Sequence, residues 1–158
     1  MAVHKIQIID FLSIDYELIA IHTSIDDYRL AYFINKALNI QLNKNNFNIE
    51  IETSEGKSSF NHYFYDDEKT DIQWSLVENR TSITSVKKTA KKSLFDDLEV
   101  RVFLLPEFKK ADYLLKIENI DSSFKIEEYI QKIESINQVV MSYIIDQDNL
   151  KSKNNLIF

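Results

Sequence analysis

One glycine, Gly56, occurs in the 158 residues of this sequence, and this shortage restricts the chain more than any other feature. Phosphate-binding loops, dinucleotide fingerprints and nucleophile elbows need glycine wherever the backbone approaches a ligand or adopts a positive φ. None of these motifs can be built here. The sequence therefore excludes the commonest nucleotide-binding sites and the hydrolases that carry their serine on a nucleophile elbow.

The composition is typical of one folded domain, which we expect to span 1–158. Apolar residues make up 44% of the chain, and folding at this size buries about 70% of the unfolded surface without a metal or disulfide. Cysteine is absent, so we expect no disulfide and no cysteine-based zinc site, which is typical of a reducing cytoplasm. We also expect no bound metal and no cofactor. No segment has the apolar length of a membrane span. The net charge of −6 disfavours nucleic acid as a partner.

Hydrophobic periodicity predicts a strand from Tyr16, and the unbroken apolar run Leu18–Ile21 indicates that this strand is buried on both faces. A helix over 25–39 follows, with Ser24 and Asp27 spaced as a capping box. A second helix over 124–135 precedes a final apolar strand, and either Ser122 or Ser123 could cap it.

Short strand-like runs with turn-rich joints fill the segment 47–86, which is typical of an antiparallel meander. We expect an α+β fold with a mostly antiparallel sheet of about seven or eight strands and two helices packed on one face. The echo of Tyr16-x-Leu18 in Tyr113-x-Leu115 suggests pseudo-duplicated strand–helix–strand halves.

The only proline of the chain stands between two strand-like runs, with Glu107 and Asp112 close behind it. Two nearby carboxylates can act as acid and base or share a cation. The structural alternative is that Asp112 accepts hydrogen bonds from turn amides, while Glu107 faces solvent or pairs with Lys109 or Lys110. We favour the structural alternative.

The motif Leu105-Pro106-Glu107-x-x-x-Ala111-Asp112-Tyr113 resembles the signature of the bacterial IPExxxVDY family, with Leu for its Ile and Ala for its Val. The resemblance extends over nearly the whole chain, including the segments 1–5, 18–22, 28–32 and 150–158. That family is named for its motif, so the resemblance implies no catalytic residue.

A second candidate polar site surrounds His22, which ends the first strand just before a helix. Open sheets often bind ligands at such a place. The alternative is an ordinary hydrogen-bonded histidine. The remaining members of this site are Asp26, Asp27 and Arg29.

A basic patch of four lysines stands out in an otherwise acidic chain. Together with Tyr63, Tyr65 and Trp74 it could bind single-stranded RNA by charge and stacking. Aromatic residues spaced two apart are also typical of sheet cores. The patch consists of Lys87, Lys88, Lys91 and Lys92.

Four functions are compatible with these patterns. We favour a non-enzymatic interaction or assembly module that binds another protein or forms a homodimer through a strand edge. A ferredoxin-like sensor of small molecules is the alternative, and polar groups converging near His22 or Glu107 would support it. An enzyme using those groups is the third, and RNA association through the lysines is a further alternative.

Overall fold

The computed structural model describes residues 16–86 and 97–158. Within them the chain forms two α-helices, α1 (Asp27–Leu38) and α2 (Ile126–Glu134), and three short 3₁₀ helices, Pro106–Phe108, Gln147–Asn149 and Lys153–Leu156. The strands of this part are β1 (Tyr16–Thr23), β2 (Asn43–Lys44), β3 (Ile49–Thr53), β4 (Gly56–Phe60), β5 (His62–Asp67), β6 (Ile72–Glu78), β7 (Arg80–Val86), β8 (Asp97–Phe103), β9 (Tyr113–Glu118) and β10 (Val139–Ile144).

Six strands form one antiparallel sheet in the order β10-β1-β9-β6-β5-β2. Strands β3 and β4 form a separate hairpin, and β7 pairs with β8 in a second two-stranded ribbon. Both helices pack on one face of the main sheet, and the two ribbons with the C-terminal segment cover the other. The predicted α+β fold, mostly antiparallel with two helices on one face, is confirmed.

Strand β1 is buried on both faces, as its unbroken apolar run predicts. Ile19 and Ile21 contribute to a helix-side core, whereas Leu18 and Ala20 contribute to a hairpin-side core. The helix-side core also includes Leu30, Ile34, Trp74, Leu115 and Ile133, and the hairpin-side core also includes Phe60, Val77, Val102, Leu114 and Leu156.

The segment 47–86 does not form the single meander that its pattern predicts. Its strands belong to three different sheets, since only β5 and β6 join the main one. The physical reason is the apolar second face of that sheet, which needs a cover. Ile49 and Phe60 of the β3–β4 hairpin supply part of it, and both are buried in the hairpin-side core. Gly56 opens β4 with φ of 126°, as the turn requires.

Neither predicted helix cap forms. The residue before α1 is Asp26, which makes no capping hydrogen bond with its side chain, and Asp27 instead accepts hydrogen bonds from β5 and its preceding residue. Helix α2 begins after Lys125, because Asp121 holds both the amide and the hydroxyl of Ser123. The side chains that the local pattern assigns to capping instead form hydrogen bonds within a turn or with residues distant in sequence.

The two strand–helix–strand halves exist but differ in span. In one half, α1 connects β1 to β2 across three intervening strands of the sheet. In the other, α2 connects β9 to β10 across β1 alone. The halves therefore share an element order without sharing a sheet position.

The C-terminal segment packs against the hairpin-side core. Leu150 and Leu156 are buried there. The buried Lys116 of β9 donates from Nζ to the carbonyl of Leu156 at 2.9 Å and pairs with Glu118 at 2.9 Å. A buried amine needs hydrogen-bond or ionic partners, so Lys116 fixes the position of the C-terminal segment.

Replacing Leu156 by Ala tests this packing. It should lower the free energy of unfolding by about 2–5 kcal/mol, because a buried leucine leaves a cavity. The neighbouring Ile157 is 72% exposed, so Ile157→Ala is the matched control and should have little effect. Urea denaturation measures both, and equal stabilities for the two variants would contradict the packing of the segment.

His62 should make the protein sensitive to mild acid. Its Nε2 is buried without a hydrogen-bond partner among the described residues, and burial together with the charge of Lys116 lowers its pKa from 6.5 to about 4. Between these values the unfolded chain binds a proton that the folded protein does not, so stability falls as pH falls. The His62→Gln variant should show a smaller loss in urea denaturation between pH 7 and pH 4.5, and an unchanged loss would contradict this role.

Candidate functional site

The motif around Pro106 forms a tight loop between β8 and β9. Its 3₁₀ turn is closed by hydrogen bonds from Phe108 N to Leu105 O and from Ala111 N to Phe108 O, both 3.0 Å long. Leu105 and Ala111 are buried in the hairpin-side core, so the apolar motif positions serve packing.

Asn79, between β6 and β7, holds this loop with a fully buried side chain. Its Nδ2 donates to the carbonyls of Phe108 at 2.8 Å and Ala111 at 2.9 Å, and its Oδ1 accepts from Leu105 N at 2.9 Å. Its backbone amide donates to Asp112 O at 2.9 Å. The sequence analysis missed this residue, although a polar side chain between two strand-like runs is a signal for it.

Asp112 ties β9 to two other elements. Its Oδ2 accepts from the backbone amide of Thr23 at 2.9 Å, and its Oδ1 lies 3.2 Å from Nη2 of Arg80. The structural interpretation is therefore right in kind, but the amide that Asp112 accepts from belongs to β1 rather than to the turn after Pro106. This difference arises because β1 and β9 are neighbours in the sheet.

Glu107 binds the C-terminal segment and not Lys109 or Lys110. Its carboxylate accepts from the amides of Lys151 at 3.2 Å and Ser152 at 2.9 Å, and from the Ser152 hydroxyl at 2.9 Å. Partial burial raises the pKa of Glu107, but these hydrogen bonds outweigh burial and keep it below its ordinary value. Among the described residues Glu107 and Asp112 share no hydrogen-bond partner, and each carboxylate binds a different part of the chain.

A polar cleft of about 470 Å³ opens beside Asp112, between the ends of β1, β6 and β9 and the β7–β8 ribbon. Its volume is within the range of small-molecule sites. Tyr113 lies in its wall and donates from its hydroxyl to Ile25 O at 2.7 Å. The cleft is lined by Thr23, Ser24, Ile25, Asp26, Glu78, Arg80, Thr81, Ser82, Arg101, Asp112 and Tyr113.

Two carboxyl groups, those of Asp27 and Glu78, are joined through Asn61, and Glu78 also lines the cleft. Nδ2 of Asn61 donates to Asp27 Oδ2 at 3.0 Å and to Glu78 Oε1 at 3.3 Å, and the hydroxyl of Tyr63 donates to Asp27 at 3.1 Å. Burial and the charge of Asp27 raise the pKa of Glu78, and the same causes raise that of Tyr63 to about 12. A perturbed acid in a cleft marks a candidate functional residue.

The residues predicted around His22 do not form one site. Nε2 of His22 lies 3.2 Å from the hydroxyl of Tyr143, in agreement with an ordinary hydrogen-bonded histidine. Asp26 lines the cleft, Asp27 points to Asn61, and Arg29 is exposed on α1. Successive residues at a helix start point in different directions, so proximity in sequence does not bring these side chains together.

The structure does not support the aromatic part of the predicted RNA surface. Trp74 and Tyr63 are buried in the helix-side core, and Tyr65 packs against it, so they belong to the sheet core. The lysine patch at positions 87, 88, 91 and 92 lies outside the described residues.

Across 16–86 and 97–158, no cluster of His, Asp and Glu could hold a metal ion. No helix in the same ranges is long and apolar enough to cross a membrane.

A strand edge is the other notable surface. Strands β10 and β2 form the two edges of the main sheet, and β2 has two residues. On β10, Val140 is 83% exposed, Met141 44% and Ile144 39%. The strand contains no charged residue and no proline.

The comparisons assign no family to the chain, since no protein-family model, no curated protein and no solved structure matches it. The resemblance of the Pro106 motif to the IPExxxVDY signature therefore stays a prediction. The functional argument rests on the cleft and on the β10 edge.

Replacing Asn79 by Ala tests its role in holding the motif loop. The variant should lose on the order of 3 kcal/mol of unfolding free energy, because the amide of Leu105 and two carbonyls lose their partner. Asn46 is exposed, so Asn46→Ala is the matched control and should retain full stability. Thermal and urea unfolding measure the difference, and equal stability of the two variants would contradict this assignment.

Proposed function

We propose that this protein is a non-enzymatic interaction module that forms a homodimer through the β10 edge. The exposed apolar edge strand is the observation that carries the proposal. Native sheets protect such edges with charges, prolines, bulges or a covering element, because free backbone groups pair with other chains. Residues 139–144 carry neither charge nor proline, and the β1–β10 ladder is irregular only at Val140, which the register between His22 and Thr23 skips.

The outward-facing backbone groups of β10 can pair with a second copy. Ile145 N donates to Leu18 O at 2.8 Å, so Ile145 faces β1. Because backbone groups alternate along an antiparallel strand, those of Ser142 and Ile144 face away from β1. A second β10 strand can accept and donate at these positions and extend the sheet.

The side chains are compatible with a two-fold axis at Ser142. Antiparallel pairing about that axis places Val140 opposite Ile144 and Met141 opposite Tyr143, by counting residues from the axis. Every such pair is uncharged, and apolar cross-strand pairs stabilise a sheet. A closed two-fold interface of this kind leads to a dimer and not to a fibre.

Glu134 at the end of α2 controls access to this edge. Its Oε1 accepts from the amide of Ser142 at 3.3 Å, at the long end of the hydrogen-bond range. In the dimer, the Ser142 amide donates to the partner strand and the Glu134 carboxylate returns to solvent. The edge is thus covered in the monomer by a contact that is easily exchanged.

We also propose that the chain is a relative of the IPExxxVDY family and acts in the cytoplasm. The structural roles of the motif support the first point, since Leu105 and Ala111 are buried and the Tyr113 hydroxyl is hydrogen-bonded. The absence of cysteine supports the second.

Light scattering after gel filtration tests the dimer at micromolar concentration. The wild-type protein should show twice the monomer mass of 18.6 kDa. Val140→Lys should give the monomer mass, because it places a charged side chain opposite the apolar Ile144 of the partner strand. Phe47 is 80% exposed and outside β10, so Phe47→Lys is the matched control and should remain dimeric. A monomeric wild type, or a dimeric Val140→Lys variant, would exclude the β10 interface.

A further inference from the structure

We propose that the polar cleft binds a small zwitterion with one ammonium and one carboxylate group, of the α-amino acid type. This inference is independent of the proposed dimer. It rests on the distribution of charge over the two walls of the cleft, which we call the arginine wall and the carboxylate wall.

The arginine wall is one face of the β7–β8 ribbon. Ser82 pairs with Arg101 in the ladder, and Arg80 is two residues before Ser82, so the three side chains project from the same face. Opposite-facing Ile83 and Val102 contact the hairpin-side core, which fixes the orientation of the ribbon. The cleft therefore receives two guanidinium groups and a hydroxyl from one side.

Arg101 is the group available for a ligand carboxylate. Arg80 is already held by Asp112 at 3.2 Å, whereas Arg101 makes no ion pair within the described part of the chain. A guanidinium binds a carboxylate in a bidentate manner that also sets its orientation. Ser82 lies beside Arg101 in the ladder and can donate to the same carboxylate.

The carboxylate wall consists of Asp26, which precedes α1, and Glu78, which ends β6, and both line the cleft. Asp26 occupies the position before α1, yet its side chain makes no capping hydrogen bond. Glu78 is oriented by Asn61. An ammonium group has three donors and no acceptor, so two carboxyl groups on one wall are suitable partners.

The presence of positively and negatively charged side chains in one cleft indicates which class of ligand it binds. A simple anion would meet the carboxylates of Asp26 and Glu78, and a simple cation would meet Arg101. Like charges at such separations are repulsive, and the repulsion increases when water is excluded. A zwitterion satisfies both walls at once, and a volume of about 470 Å³ is suitable for a small molecule.

Titration calorimetry and thermal shift with the common α-amino acids, added one at a time to the full-length protein at about 1 mM, test this inference. At least one should bind and raise the melting temperature. Its N-acetyl derivative and its amide should each bind at least about tenfold more weakly, which corresponds to about 1.4 kcal/mol per lost ionic contact. A blocked form that binds as tightly as the free amino acid would overturn the inference, as would the absence of binding by all of them.

Two variants with matched controls locate the site. Arg101→Gln and Asp26→Asn should each weaken binding about tenfold or more, because each removes one charge from one wall. Arg29→Gln and Asp66→Asn make the same changes at exposed positions outside the cleft and should leave binding unchanged. All four substitutions are in exposed side chains, so the fold should be retained. Unchanged binding in Arg101→Gln and Asp26→Asn would place the ligand elsewhere and overturn the proposal.

Discussion

The burial of both faces of β1 and β9 is the constraint on which the rest of the structure depends. Leu18 to Ile21 are fully buried, and Tyr113 to Ile117 nearly so. A sheet that is apolar on both faces must be covered on both, because exposed apolar area is unfavourable in water. The helices cover one face. The other requires the two ribbons and the C-terminal segment, none of which contributes a strand to the main sheet.

Buried and half-buried polar groups determine where the two ribbons and the C-terminal segment lie. Hydrophobic burial has no direction, so it cannot by itself select one arrangement of the ribbons. Asn79, Asp112 and Lys116 supply directional contacts that connect β6, β7, β9 and the C-terminal segment. Each would be costly to bury without its partners, and a fully satisfied polar network specifies a single packing. The Pro106 motif is part of this network, which explains its residues structurally.

The two candidate interaction surfaces, the β10 edge and the polar cleft, lie where the elements that cover the main sheet end. Strand β10 lies at the sheet edge, where no further strand from residues 16–86 or 97–158 joins it. The cleft lies where the β7–β8 ribbon separates from the ends of β1 and β9. Both surfaces follow from one packing arrangement, although one is apolar and suited to pairing and the other is polar and suited to a small ligand. A module that recognises both a second copy and a small molecule would be consistent with them.

The sequence by itself determined the fold class, the two helices and the double burial of Leu18–Ile21, because these depend on residues that are near one another along the chain. It also indicated that Asp112 is structural. The tertiary structure alone decided that 47–86 splits among three sheets, that Asn79 holds the motif loop, and that Arg101 and Asp26 line one cleft. These features arise from contacts between residues far apart in sequence. Local periodicity carries no information about such contacts, because it fixes which side of an element is buried but not which element buries it.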